Sequence, residues 1–185
     1  MARVFIIHGW GGNPEKEWFP WAKKEIENLG FEVIAPEMPD TNYPRINPWI
    51  AKLKTLVGEL RPDDIFIGHS IGCQAILRFL NTVSVDQKVD KIVLVAPWWY
   101  LNLATDEGKE LAEPWLKLDV DLENVKLKAN KIVCLFSDDD PVVPLEINKK
   151  FFEDNLNAEI LIEDKKGHFT EEDGVYEIPL ILELI

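Results

Sequence analysis

Residues 63–77, Asp-Asp-Ile-Phe-Ile-Gly-His-Ser-Ile-Gly-Cys-Gln-Ala-Ile-Leu, constrain the fold more than any other stretch of the chain. Ile65 to Ile67 is an apolar run of the length and composition of a buried strand, and Ile71 to Leu80 reads as a helix rich in Ala, Ile and Leu. Between them lies Gly68-x-Ser70-x-Gly72. A strand that becomes a helix within one residue leaves no room for a Cβ two positions to either side of the turn. That accounts for both glycines, and it lifts the Ser70 hydroxyl clear of the backbone. The same turn aims the unpaired N–H groups of the helix start at any oxygen approaching Ser70. Chance alone yields about 0.06 such patterns in a chain of this length. The flanking strand and helix therefore carry much of the weight.

The rest of the chain alternates in the same way. Arg3 to Ile7 is a strand that ends in His8-Gly9-Trp10-Gly11-Gly12. A helix follows with Pro20 in its first turn, Ala22, Ile26 and Leu29 on one face, and Gly30 as its stop. Phe31 to Ala35 is a second strand, leaving through a loop with Pro36, Pro39 and Pro44. Asn47-Pro48 reads as cap and first turn of a helix burying Ile50, Leu53, Val57 and Leu60. Beyond the Ser70 unit come strands at Lys91 to Ala96, Asn130 to Phe136 and Glu159 to Ile162. A helix at Pro144 to Leu156, with apolar Leu145, Ile147, Phe151 and Phe152, separates the last two, and another starts near Pro179. Residues 97–130 are the least regular stretch, with Trp98, Trp99, Tyr100 and Trp115 set among acidic residues. This order predicts one domain over residues 1–185, built on a mainly parallel sheet with helices on both faces.

Composition excludes several function classes. The formal charge of −13 would be repelled by nucleic acid and by an anionic membrane surface, so neither is expected as a partner. Its plain meaning is solubility. Cys73 and Cys134 fall in predicted buried segments and read as reduced core thiols of a cytoplasmic protein. The apolar run before His8 is too short for a signal peptide, and no run approaches membrane-spanning length. Gly9-Trp10-Gly11-Gly12 lacks the third glycine of a dinucleotide fingerprint, and there is no Gly-Lys-Ser/Thr phosphate loop. Asp138 to Asp140 is a weak metal signal, so neither a metal nor a cofactor is expected.

In parallel sheets of this kind, sites form beyond the carboxyl ends of the strands where the strand order reverses. If the first and third strands are neighbours there, the His8–Gly12 loop and the Ser70 turn face one another. A serine hydroxyl needs a positioned base, and there are three histidines. His69 adjoins Ser70, where adjacent side chains at a strand end point apart. His8 reads as a packing residue, or one that supports the site from behind. His168, in Lys166-Gly167-His168-Phe169 after the last strand, answers to no helix or strand periodicity and is the expected base. The orienting carboxylate should come from Asp138-Asp139-Asp140-Pro141 after the fifth strand. All three aspartates are candidates. Pro141 biases Asp140 to an extended conformation suited to reaching across the sheet end, although Asp140 could also be a turn or cap residue.

Taken together these motifs identify a resemblance. His8-Gly9-Trp10, Trp18-Phe19-Pro20-Trp21, Met38-Pro39, Gly68-His69-Ser70-x-Gly72, Val93-Leu94-Val95-Ala96, Asp139-Asp140-Pro141-x-x-Pro144 and Gly167-His168-Phe169 make the chain similar to a family of small α/β-hydrolases. That family contains the retinoblastoma-binding serine hydrolase of animals and the YdeN-type esterases of bacteria. The resemblance implies an α/β-hydrolase fold: a compact three-layer sandwich with a mainly parallel six-stranded sheet and little or no lid. It also implies a Ser–Asp–His triad on Ser70, Asp140 and His168, hydrolysing a small-molecule carboxylic ester or related acyl bond through an acyl-enzyme. The backbone N–H groups of Trp10 and Ile71 are the expected oxyanion donors. Trp10, Trp98, Trp99 and Phe169 are candidates to line the substrate pocket, with packing of helices onto the sheet as the equal alternative for the three tryptophans; for Trp18, Trp21 and Trp49 packing is favoured. The retinoblastoma-binding motif Leu-x-Cys-x-Glu is absent around both cysteines, so that partner is not carried over. The competing reading is a non-catalytic protein-binding module on the same scaffold. Within the enzyme class, a thioesterase or amidase could use the same residues.

Overall fold

The computed structural model describes residues 1–84, 86–117 and 119–185. Its strands are β1 (Arg3–Ile7), β2 (Glu32–Ile34), β3 (Ile65–His69), β4 (Val89–Val95), β5 (Ala129–Ser137) and β6 (Glu159–Glu163). Its helices are α1 (Phe19–Asn28), α2 (Ile46–Val57), α3 (Ile71–Asn81), α4 (Asp106–Leu116), α5 (Leu122–Lys126), α6 (Leu145–Leu156) and α7 (Leu180–Leu184). The strands form one sheet in the order β2-β1-β3-β4-β5-β6, and every pairing is parallel. The chain moves outward from β1 in one direction to β2 and in the other to β3. The strand order therefore reverses at β1 and β3, which pair with Ile7 beside Gly68.

Side-chain alternation along each strand divides the core into two layers. Phe5, Ile7, Phe66, Ile92, Leu94, Ile132, Cys134 and Phe136 face α2, α3, α5 and α6, where Trp49, Leu53, Ile76, Leu80, Val125 and Phe152 close over them. Val4, Ile6, Ile65, Ile67, Val93, Val95, Val133 and Leu135 face the other way, onto Phe19, Ala22 and Ile26 of α1 and Ile181 and Leu184 of α7. Strands buried on both faces read as unbroken apolar runs, as these do. At the amino ends of the strands Arg3 donates to both carboxylate oxygens of buried Asp64 at 2.8 and 2.6 Å, and to the carbonyls of Val57 and Glu59. That ion pair fixes the entry to β3 at the pole away from the Ser70 turn.

Several boundaries and faces differ from expectation. Helix α2 starts at Ile46 behind Arg45, so Asn47 and Pro48 lie inside its first turn; the first N–H groups of a helix have no internal partner, and a proline there costs nothing. Gly58 at φ +60 ends that helix before Leu60, which is nonetheless buried. Leu29 caps α1 and is exposed, as is Ile147 on α6. Within residues 97–130, of which residue 118 is outside the described residues, two helices form. Thr105 caps α4 by accepting from Gly108 N–H, and Asp121 caps α5 by accepting from Asn124 N–H. Cys73 and Cys134 are both buried and free. No described helix is long and apolar enough to cross a membrane.

Candidate active site

The turn between β3 and α3 is as tight as its glycines suggest. A Cβ on Gly68 would lie 2.8 Å from Cys73 N, and one on Gly72 would lie 2.3 Å from Ile7 O. The second contact is with the end of β1, so Gly72 lets α3 start against the neighbouring strand. Ser70 takes φ 53 and ψ −118, a backbone conformation that an L side chain seldom adopts. Its N–H is tied to Val95 O at 2.9 Å. Ile71 is the first residue of α3, so its N–H has no acceptor within the helix.

Three side chains from three loops meet above this turn. His168 Nδ1 lies 2.8 Å from Asp140 Oδ2, and His168 Nε2 lies 3.0 Å from Ser70 Oγ. A carboxylate accepts, so Nδ1 carries the proton and donates it; Nε2 then accepts from the Ser70 hydroxyl. Asp140 is held by its other oxygen, which accepts from Val142 N–H at 2.8 Å and Val143 N–H at 3.0 Å. Its side chain is 2% exposed and that of His168 is 16% exposed, so water competes little for the bond between them. Such an arrangement can take a proton from the hydroxyl and stabilise the imidazolium that results.

The other two aspartates of the run bind backbone. Asp139 Oδ1 accepts from Ser137 Oγ and from Gly167 N–H, both at 2.8 Å, and those bonds, the serine's first, lower its pKa below the ordinary carboxylate value. Asp138 Oδ1 accepts from Lys165 N–H at 2.8 Å. Both therefore join the loop after β5 to the loop after β6, the loop that carries His168. Asp173, which the sequence did not single out, accepts from His168 N–H at 2.9 Å and from the Thr170 N–H and hydroxyl. Gly167, at φ +51, has no room for a Cβ, which would lie 2.1 Å from Asp173 Oδ1.

The remaining histidines lie below the site. His8 is buried; its Nδ1 donates to Gly9 O at 2.9 Å and its Nε2 accepts from Met38 N–H at 3.0 Å. Burial lowers its pKa. It shapes the glycine loop. His69 makes no proton-transfer contact with Ser70, yet it is close to His168: the two rings lie 5.2 Å apart, and His69 Nε2 lies 2.8 Å from the His168 carbonyl.

A cavity of about 150 Å³ opens beside Ser70 and His168. Trp98, Leu101, Leu103 and Val142 give it apolar surface, Trp10 and Gly9 border it, and Glu17 and Thr170 add polar groups. Trp98 Nε1 donates to Ser70 Oγ at 3.3 Å. Trp10 is oriented by donation from its Nε1 to Asn42 O at 3.0 Å. Two of the expected pocket residues lie elsewhere. The Trp99 N–H donates to Asn148 Oδ1 at 2.7 Å, which draws the backbone toward α6; the indole stacks on Phe151 and donates to Leu116 O. Phe169, at φ +58, turns its ring down into the layer beside α1 and α7, where it is fully buried. Both are core residues. Glu17, Leu101, Leu103, Val142 and Thr170 are the cavity residues that sequence reasoning missed; they lie in several loops that no helix or strand periodicity marks. Among the described residues no group of His, Cys, Asp and Glu is arranged to hold a metal ion.

A family model described as serine hydrolase matches residues 4–185. The chain belongs to that family. It is 27% identical over 183 residues to YdeN of Bacillus subtilis, a protein named as a hydrolase, covering 99% of this chain and 94% of that one. The crystal structure of the YdeN gene product superimposes with a TM-score of 0.90 at 26% identity, over 99% of this chain and 96% of that one. The likeness to YdeN-type proteins drawn from the motifs therefore holds. Two more distant structures share the fold. A carboxylesterase structure from Nitrososphaera gargenis has a TM-score of 0.74 at 17% identity, over 98% of this chain and 88% of that one. Est1E of Butyrivibrio proteoclasticus with ferulic acid bound has a TM-score of 0.74 at 14% identity, over 100% and 89%. The protein is a hydrolase with a compact α/β-hydrolase fold.

Proposed function

We propose that this hydrolase cleaves small carboxylic esters through an acyl-enzyme on Ser70, with His168 as general base and Asp140 as the carboxylate that orients it. The observation that carries the reading is the pair of contacts at His168, 3.0 Å to Ser70 Oγ and 2.8 Å to Asp140 Oδ2. His168 takes the Ser70 proton as Oγ attacks the acyl carbon. The imidazolium then gives that proton to the leaving alcohol, and a water activated by His168 releases the acid. Asp140 keeps the proton on Nδ1, so that Nε2 is the nitrogen that takes up the proton and gives it back.

The oxyanion of the tetrahedral intermediate falls to the N–H groups of Ile71 and Trp10, each contributing about 3 kcal/mol in the transition state. The small cavity favours a short acyl group: 150 Å³ is below the roughly 300–1,000 Å³ of sites for drug-sized ligands. Its apolar residues, Trp98, Leu101, Leu103 and Val142, suit an alkyl chain. Rapid mixing with p-nitrophenyl acetate tests the reading. A burst of nitrophenol equal to the enzyme concentration is expected in wild type, with none in Ser70→Ala. A burst of the same size in Ser70→Ala would remove Ser70 as the acylated residue. Steady-state rates should fall as the acyl chain lengthens beyond what the cavity holds.

A further inference from the structure

Beneath the His168 contacts lies a second set of polar groups that the proposed mechanism does not use. The His168 carbonyl can only accept, so the 2.8 Å contact puts a proton on His69 Nε2. Burial, aided by the nearby His168, drives the His69 pKa down from 6.5 to about 3, so this imidazole is neutral and its Nδ1 carries only a lone pair. That nitrogen is buried, has no hydrogen-bond partner among the described residues, and is packed against Gly9, where a Cβ would come within 3.0 Å of it. The atom facing it is Glu17 Oε2, 3.9 Å away and likewise buried and unpartnered. At 3.9 Å the two atoms are beyond hydrogen-bond length, and a proton on Glu17 replaces the repulsion between two facing acceptors with an attraction. Glu17 takes φ +56 to reach this position, and it also borders the cavity beside Ser70.

We propose that Glu17 is a positioning residue: it carries a proton on the oxygen facing His69 Nδ1, and so locks the imidazole that supports the backbone of His168. The support runs from Glu17 Oε2–H to His69 Nδ1, a bond made once a small side-chain movement closes the 3.9 Å gap, and from His69 Nε2–H to the carbonyl of His168 at 2.8 Å. The charged and titratable groups around Glu17 favour this protonation on balance. Burial raises its pKa most, the charge of Glu171 adds to it and that of Asp173 adds less, while His168 and Lys16 act in the opposite direction; the carboxyl is pushed from 4.5 up to about 7. When Glu17 ionises, its charge meets the Nδ1 lone pair and the support is withdrawn. Activity then depends on a group that never touches the substrate's reacting atoms. The inference rests on reading His168 as the base.

Two measurements test it. In Ser70→Ala, with no turnover required, the carbon-13 shift of the Glu17 carboxyl should titrate with a midpoint near 7; a midpoint in the ordinary range near 4.5 would overturn the assignment and leave the Ser70 reading untouched. In the otherwise wild-type enzyme, Glu17→Ala should lower kcat roughly tenfold at pH 6 with little change in KM, the size expected when one hydrogen-bond partner of an oriented group is removed. Glu17→Gln, whose amide can donate to Nδ1, should restore most of that loss, and the ratio of wild-type to Glu17→Gln kcat should fall as pH rises through about 7. A glutamine variant as impaired as the alanine one, or a ratio independent of pH, would overturn it. A chain that hydrolyses no ester at all would defeat the proposed reaction, and the carboxyl titration would still decide the role of Glu17.

Discussion

The indole of Trp98 donates from Nε1 to Ser70 Oγ at 3.3 Å. The proposed nucleophile is thus held between a donor and an acceptor, since its own hydroxyl proton points at His168. The backbone of Trp98 is anchored in turn: Gln74 on α3 donates to its carbonyl, and Arg78 one turn further on donates to Gln74. In the proposed reaction an N–H aimed at Oγ would stabilise negative charge there, both when the proton leaves for His168 and when Oγ departs from the acyl group. Trp98→Phe keeps most of the ring volume and removes the donor. The expected result is a fall in kcat/KM of about tenfold on p-nitrophenyl acetate, or about 1.4 kcal/mol, with the circular dichroism spectrum unchanged. Unaltered kinetics would remove the indole from the reaction.

Asp139 and Asp140 are neighbours with different partners, and one substitution at each tests whether their work differs. Asp140→Asn should lower kcat by roughly 10⁴-fold, because the amide presents its donor to Nδ1 and the imidazole changes tautomer. Asp139→Asn leaves the His168 contacts in place and loosens only the bonds from Asp139 to Ser137 and Gly167. It should cost less than about tenfold, since an asparagine Oδ1 still accepts from Ser137 and Gly167 and weakening these bonds costs on the order of 1 kcal/mol. Steady-state kinetics on both variants check this. Equal losses would mean that Asp139 shares the orienting role.

How much of the fold and site is legible in the sequence varies by residue. The strands are readable because burial on both faces leaves runs such as Val4 to Ile7 and Ile65 to Ile67 without polar interruptions. Ser70 is readable because a glycine two positions to each side suits a tight strand-to-helix turn and little else. His168 is readable because it belongs to no helix or strand pattern that would bury it for packing. The choice among Asp138, Asp139 and Asp140 is not readable in full: all three accept hydrogen bonds in the same loops, and only the path of the chain decides which meets the imidazole. Trp99 and Phe169 mislead for one reason. Proximity to a strand end says that a residue is near the site, but the backbone rotation that turns Trp99 to α6 and Phe169 to the α1 layer is a tertiary property. Helices α4 and α5 are hidden because each buries only two residues; their cap residues Thr105 and Asp121 are the available signs.

Gly72→Ala should be among the most damaging small substitutions in the chain. The added methyl group would lie 2.3 Å from Ile7 O and 2.7 Å from His8 O, both backbone atoms that cannot rotate away. Helix α3 would have to shift off β1. A loss of at least about 3 kcal/mol is expected from the forced separation of packed backbone, read as a lower urea midpoint. Retained stability would show that the turn relaxes more easily than its contacts imply.

Stability should also depend on pH through Glu17. Its carboxyl holds a proton up to about 7 in the folded chain and up to about 4.5 when free, so between those values the folded state binds more protons. Its contribution is complete below pH 4.5, is lost as pH rises to about 7, and stays lost above that. Allowing for solvent screening at the cavity mouth, the change amounts to about 2 kcal/mol. His69 acts in the opposite sense: its depressed value favours the folded state above about 6.5, and that contribution is lost as pH falls toward 3. Comparing urea unfolding of wild type and Glu17→Gln across pH 4 to 8 isolates the first effect. A stability difference that does not vary with pH would contradict it.

Intact mass and peptide mapping after treatment with a fluorophosphonate probe test the central claim most directly. Wild type should gain a single phosphonyl group, located on the peptide containing Ser70, and Ser70→Ala should gain none. His168→Ala should fold normally and label far more slowly, because nothing then removes the hydroxyl proton. A label on another residue, or equal labelling of wild type and Ser70→Ala, would contradict the account.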